Sequence, residues 1–115
     1  MSYSRVDIII NISKLTDLKK SLSDLGVSGM TVMQVIGCGV QKGSYEYEEE
    51  IRDEMSLLPK QLIMIVVEDE MLDQLLDVVK KELYTGHIGD GKIFVSPITN
   101  IIRVRTGEEG QEAMK

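Results

Sequence analysis

Two leucine-spaced stripes, each lying close behind a short apolar run, limit what this chain can fold into. Leu15, Leu18, Leu22 and Leu25 recur at three- and four-residue steps. So do Leu72, Leu75, Leu76, Val79 and Leu83, after an acidic start at Glu68 and Asp69. Both patterns describe amphipathic helices with one apolar face. Val6 to Ile10 precedes the first stripe and Leu62 to Val67 the second, and both runs read as buried strands. Thr31 to Ile36 reads as a strand after the first helix; Lys92 to Ser96 and Ile101 to Arg105 read as strands after the second. Ser13 is placed to cap the first helix and Gly26 to end it. Gly37-Cys38-Gly39 closes the second strand, and Pro97 divides the last two.

The predicted order is strand, helix, strand, long loop, strand, helix, strand, strand. This is the α+β, ferredoxin-like split βαβ pattern (βαββαβ) with an extra short C-terminal strand. Both helices lie on one face of one sheet. The strands are apolar on both sides, so the uncovered face predicts self-association. A length of 115 residues predicts one domain spanning 1–115.

Between the second and third strands, Val40 to Ser56 carries Tyr45, Glu46, Tyr47, Glu48, Glu49, Glu50, Asp53 and Glu54 with no apolar period. It reads as a long loop of functional type, with a solvated charged helix as the other reading.

The chemistry-bearing stretch is Gly86-His87-Ile88-Gly89-Asp90-Gly91-Lys92. Three glycines in six residues let backbone amides approach an anion, and Lys92 adds a charge. On a strand, Arg103 and Arg105 would project from one face and could grip phosphate in bidentate fashion. The plainer readings are a helix-to-strand turn with ordinary glycines, and arginines paired with the abundant carboxylates. The loop is neither a Walker A motif nor a dinucleotide fingerprint, because no Ser or Thr follows the lysine and no helix follows the loop.

Other chemistry is thin. His87 is the only histidine and reads as a surface residue; Cys38 has no basic neighbour and reads as incidental. One cysteine excludes an internal disulfide. The glutamates lack the spacing of a calcium loop. No nucleophile–base pair is visible, which favours a binding protein over an enzyme. A net charge of −6 argues against nucleic acid as the partner. The N-terminus has no apolar segment of signal type, and Leu62 to Val67 is too short to span a bilayer, so a soluble cytoplasmic protein is expected.

Thr85-Gly86-His87-Ile88-Gly89-Asp90-Gly91-Lys92-Ile93-Phe94-Val95 and Ile102-Arg103-Val104-Arg105-Thr106-Gly107-Glu108 resemble the corresponding motifs of the PII signal-transduction proteins. Gly29-Met30-Thr31-Val32, Gly37-Cys38-Gly39-Val40-Gln41-Lys42-Gly43 and Leu58-Pro59-Lys60 resemble that family too. The resemblance implies a homotrimer that binds ATP or ADP in clefts between subunits and regulates a transporter or enzyme of nitrogen metabolism. Residues of about 39–58 would form the T-loop that docks on targets, about 84–92 the B-loop and about 104–115 the C-loop. By position, Gly89, Gly91, Lys92, Arg103 and Arg105 would meet phosphates, with Thr85, Asp90 and Gly39 in the same site. Thr31, Gly37 and the neighbourhood of Met64 would meet adenine and ribose. Gln41 and Lys60 match positions that hold Mg-ATP together with 2-oxoglutarate.

The sequence also departs from the family pattern. The T-loop tyrosine that is uridylylated in many members aligns with Asp53, and the phosphorylated serine with Ile51. Val40 stands for the arginine after the loop's second glycine, Asn11-Ile12 for the Lys-Pro after the first strand, and Met64 for an acidic residue. The usual uridylylation is therefore not expected, and 2-oxoglutarate binding rests on Gln41 and Lys60.

Overall fold

In the computed structural model, which describes residues 2–40 and 55–114, the chain runs β1 (Tyr3–Ile10), a 3-10 turn (Ile12–Lys14), α1 (Leu15–Leu25), β2 (Thr31–Val40), β3 (Met55–Glu68), α2 (Asp69–Leu83), β4 (Lys92–Ile98) and α3 (Gln111–Met114). The strands form one antiparallel sheet in the order β2-β3-β1-β4. This is the predicted ferredoxin-like α+β architecture. The apolar runs alternate in burial, with Val6, Ile8 and Ile10 of β1 and Ile63, Ile65 and Val67 of β3 turned to one face. Leu18 and Leu22 of α1, with Leu75, Val79 and Leu83 of α2, close over them as one core. Each such side chain contributes about 1.5–3 kcal/mol by leaving water.

Register fixes what lies on the opposite, helix-free face. Ile9 is opposite Leu62 on one side and Lys92 on the other, and Asp7 is opposite Met64 and Phe94. Paired residues share a face, so Leu62, Met64, Val66, Met33, Val35 and Phe94 form an apolar surface on the side away from α1 and α2. Phe94 remains 52% exposed. Arg5 donates to Asp7 at 3.0 Å within this surface.

Several boundaries differ from the sequence reading. Ser13 does not cap α1; it lies inside the 3-10 turn, where the Lys14 N–H donates to the Asn11 carbonyl at 3.0 Å. Gly26 does end the helix, at φ +108°, with its own N–H on Ser23 and that of Val27 on Leu22. The β2–β3 ladder runs ten pairs, from Thr31–Met64 to Val40–Met55, straight through the glycines at 37 and 39. Cross-strand pairing overrides the turn tendency there. The predicted loop from Val40 to Ser56 therefore loses its ends to the ladder, while residues 41–54, with Gln41, Tyr45, Tyr47 and Asp53, lie outside the described residues. Beyond Gln61, β3 has lost β1 as a neighbour, so Pro59 sits where its missing N–H breaks no ladder bond on that side.

The extra C-terminal strand is a correction. Ile101 to Arg105 does not join the sheet; Ile102 makes one isolated bridge, to Glu109. The segment closes on itself instead. The Arg103 N–H donates to the Glu108 carbonyl at 2.8 Å, the Gly107 N–H to Arg103 at 2.7 Å and the Gly110 N–H to Ile101 at 2.9 Å. Gly107 and Gly110 both take positive φ and allow the reversal. Residues 104–106 form the turn, so strand alternation no longer places the two arginines.

Candidate functional site

The helix-free face ends in a cleft of about 370 Å³ lined by Ile9, Gly37, Cys38, Leu58, Lys60, His87, Gly89, Asp90, Gly91 and Lys92. Three sources converge on it: the end of β1, the β2–β3 ladder, and the loop between α2 and β4. Lys60 and Lys92 both project on the helix-free side, as the registers Val35–Lys60 and Ile9–Lys92 require. Gly37 makes room for the lysine. A Cβ there would lie 3.1 Å from Lys60 Cγ, so the bare backbone lets the lysine stem cross the ladder.

The loop is held in shape by Asp90. One carboxylate oxygen accepts from the N–H of Thr85 at 2.8 Å and of Gly86 at 3.0 Å. The other accepts from the Thr85 hydroxyl, which in turn accepts from the His87 N–H at 3.2 Å. Asp90 and Thr85 therefore shape the loop, with both carboxylate oxygens already engaged. Gly86, Gly89 and Gly91 take positive φ. In the loop's hydrogen bonds among the described residues, none uses the N–H of Gly89 or Gly91. Lys92 takes part in no ion pair among the described residues. Bare glycine amides beside two ammonium groups suit an anion with several oxygens.

The Thr85 hydrogen bonds, led by its hydroxyl, hold the Asp90 carboxyl below its ordinary value of 3.8, and the charge of His87 adds to this. The folded chain thus holds this proton less tightly than the unfolded chain. Asp90's contribution is complete above the ordinary value and is lost as pH falls through the lowered one. In an acid titration followed by NMR, the Thr85 and Gly86 amide signals should shift together in that lower window. Asp90→Asn should remove the transition; an unchanged titration would show that Asp90 does not hold the loop.

Of the residues singled out from sequence, Gly37, Lys60, Gly89, Asp90, Gly91 and Lys92 come together in the cleft. Gly39 is two places along the ladder, opposite Ser56. Thr31 and Met64 are cross-strand neighbours on the helix-free face and do not line the cleft. Arg103 and Arg105 do not line it either. Arg103 Nη2 donates to the Ala113 carbonyl at 3.2 Å and Nη1 lies 3.7 Å from Glu108, while Arg105 is exposed. His87, read from sequence as a surface residue, is exposed and also lines the cleft. Sequence reading passed over Asn11 as a site residue. Its amide oxygen accepts from Lys60 Nζ at 2.6 Å, and its amide nitrogen donates to the Gly89 carbonyl at 3.2 Å.

Among the described residues, no group of His, Cys, Asp or Glu gathers to hold a metal, and no helix is long and apolar enough to cross a membrane.

Fold and cleft together define a ferredoxin-like domain with a glycine loop and two lysines at the end of its open sheet face. The family model described as "Nitrogen regulatory protein P-II" matches residues 3–108, and the chain belongs to that family. It is 43% identical over 109 residues to nitrogen regulatory protein GlnK of Escherichia coli K12, covering 95% of this chain and 97% of that one. It is 44% identical over 110 residues to nitrogen regulatory protein P-II of Pasteurella multocida, covering 96% and 98%. Among solved structures it is similar to the GlnK–ATP complex of B. subtilis, with a TM-score of 0.82 and 38% identity, covering 97% of this chain and 95% of that one.

Proposed function

We propose that this protein is a trimeric PII-type regulator, not an enzyme, that binds ATP or ADP and controls a transporter or enzyme of nitrogen metabolism through its segment of about 39–58. The observation that carries the reading is the cleft, where the Gly89–Lys92 loop meets Lys60 in a chain similar to one solved with ATP. In it, Lys92 and the amides of Gly89 and Gly91 bind the phosphates. Gly37 in the cleft, with Thr31 and Met64 on the open sheet face outside it, takes the adenine and ribose side. Arg103 and Arg105 lie outside the cleft of their own chain. A neighbouring copy's arginines complete the site, which also gives the apolar sheet face its cover. Magnesium enters on the phosphates, since a cation of this kind keeps several waters and needs few protein ligands. Calorimetry with ATP and with ADP, alongside Arg105→Ala, tests the reading. The variant should bind about tenfold to a hundredfold more weakly, as loss of a charged hydrogen bond predicts. No heat from either nucleotide, or a scattering mass of one chain, overturns it.

A second reading, a PII-type regulator without 2-oxoglutarate sensing or uridylylation, is favoured by Asp53 and Ile51 at the modified positions and by Asn11-Ile12, Val40 and Met64 at the other departures from the family pattern. On this reading 2-oxoglutarate adds no heat to the Mg-ATP complex, whereas saturable binding would restore the first.

A further inference from the structure

Asn11 occupies the cap position of the 3-10 turn, with extended backbone at φ −74° and ψ 145°. An asparagine there ordinarily turns its side chain onto the first amides of the helix. This one makes no such bond. Its backbone is fixed by the Lys14 N–H on its carbonyl, and its side chain is spent on two distant parts of the cleft. The chemistry of the bridge admits few residue types. Lys60 can only donate and the Gly89 carbonyl can only accept, so the group between them must do both. A carboxylate would hold Lys60 but repel the carbonyl. An ammonium would do the reverse. An amide serves both, and the same partners settle which atom of the amide is oxygen.

We propose that Asn11 is a positioning residue of the cleft: it latches the glycine loop at Gly89 and holds the Lys60 ammonium beside it, so that loop and lysine meet an anionic ligand as one preformed unit. The groups around the bridge are consistent with this. The stem of Lys60 runs over Gly37, where an added Cβ would lie a close 3.1 Å from its Cγ, and the loop on the other side is pinned at Thr85 and Gly86 by Asp90. Asn11 supplies the remaining tie, at the end of the loop nearest Lys92. It is not itself required to touch the ligand. The latch does not depend on the nucleotide reading. Only its effect on affinity rests on that reading.

Hydrogen exchange on the ligand-free protein tests the latch directly. In Asn11→Ala, the hydrogen-bonded loop amides of Thr85, Gly86 and His87 should exchange about tenfold faster, the loss of roughly one to two hydrogen bonds, while the amides of Ile8 and Ile63 keep their protection. Asn11→Asp keeps the bond to Lys60 and loses that to Gly89, so it should also loosen the loop. Calorimetry adds a readout that a merely structural role would not move. Asn11→Asp pairs its charge with Lys60, so ATP should bind more weakly and with a flatter dependence on ionic strength than in the wild type. Unchanged loop exchange in both variants overturns the proposal. Should Asn11→Ala lose protection at Ile8 and Ile63 as well, the Asn11→Asp comparison decides. Wild-type protein that gives no heat with ATP would end the nucleotide reading and leave the latch to stand or fall on the exchange data.

Discussion

Gly91→Ala should destroy the cleft and cost the protein at least about 3 kcal/mol, because strain and collision fall on one atom. Gly91 has φ +108°, and a Cβ built on it would sit 2.3 Å from the Ile9 carbonyl oxygen and 3.4 Å from the Ile9 carbonyl carbon. Those are backbone atoms of β1, a strand paired on both sides, so they cannot give way as a flexible side chain would. The loop must lift off the sheet instead, taking Lys92 from its place beside Ile9. Denaturant unfolding measures the first effect, and calorimetry of any folded fraction should find no nucleotide binding. Gly107→Ala is the matched control. It also has positive φ, at +74°, but nothing lies within 4 Å of the added carbon. It should lose only the strain, about 1–2 kcal/mol. Equal losses in the two variants would refute the collision.

Lys92→Ala should separate binding from folding. The ammonium sits at the first residue of β4, exposed, with no ion-pair partner among the described residues. Its removal should change stability by less than about 0.5 kcal/mol. Nucleotide affinity should fall about tenfold to a hundredfold, the range for a charged hydrogen bond to phosphate. Lys92→Arg should recover part of it, since charge is kept while the fork geometry differs. Calorimetry and urea melts on the same preparations check both halves. A variant that binds ATP as tightly as the wild type would remove Lys92 from the phosphate site.

These two neighbours illustrate what the sequence does and does not disclose. The helices were legible because Leu18, Leu22, Leu75 and Val79 repeat at helical spacing, and spacing is local. The loop was legible because three glycines and a lysine are adjacent. That Gly91 is indispensable while Gly107 is replaceable was not legible, since the difference is the Ile9 carbonyl, far away in sequence. Asn11 was hidden for the same reason: its partners are 49 and 78 residues away. The C-terminal reading failed through a real ambiguity. Ile101, Ile102 and Val104 look like strand residues, but Gly107 and Gly110 let the segment satisfy its own backbone groups before it can reach the sheet. A pair of glycines soon after a short apolar run was the available signal. In β2 the error ran the other way, with glycines at 37 and 39 held extended by the strand opposite.

The ladder between β2 and β3 has a mechanical side. Only its inner part is braced by β1, which leaves β3 at Gln61. From Val35–Lys60 to Val40–Met55 it is a two-stranded cantilever of six rungs, roughly 20 Å long at the usual rise per residue. Lys60 stands at its root. A cantilever multiplies rotation into travel, so a tilt of about 5° at the lysine moves the free end by about 2 Å over that length. The ammonium is therefore seated where the smallest adjustment has the longest reach.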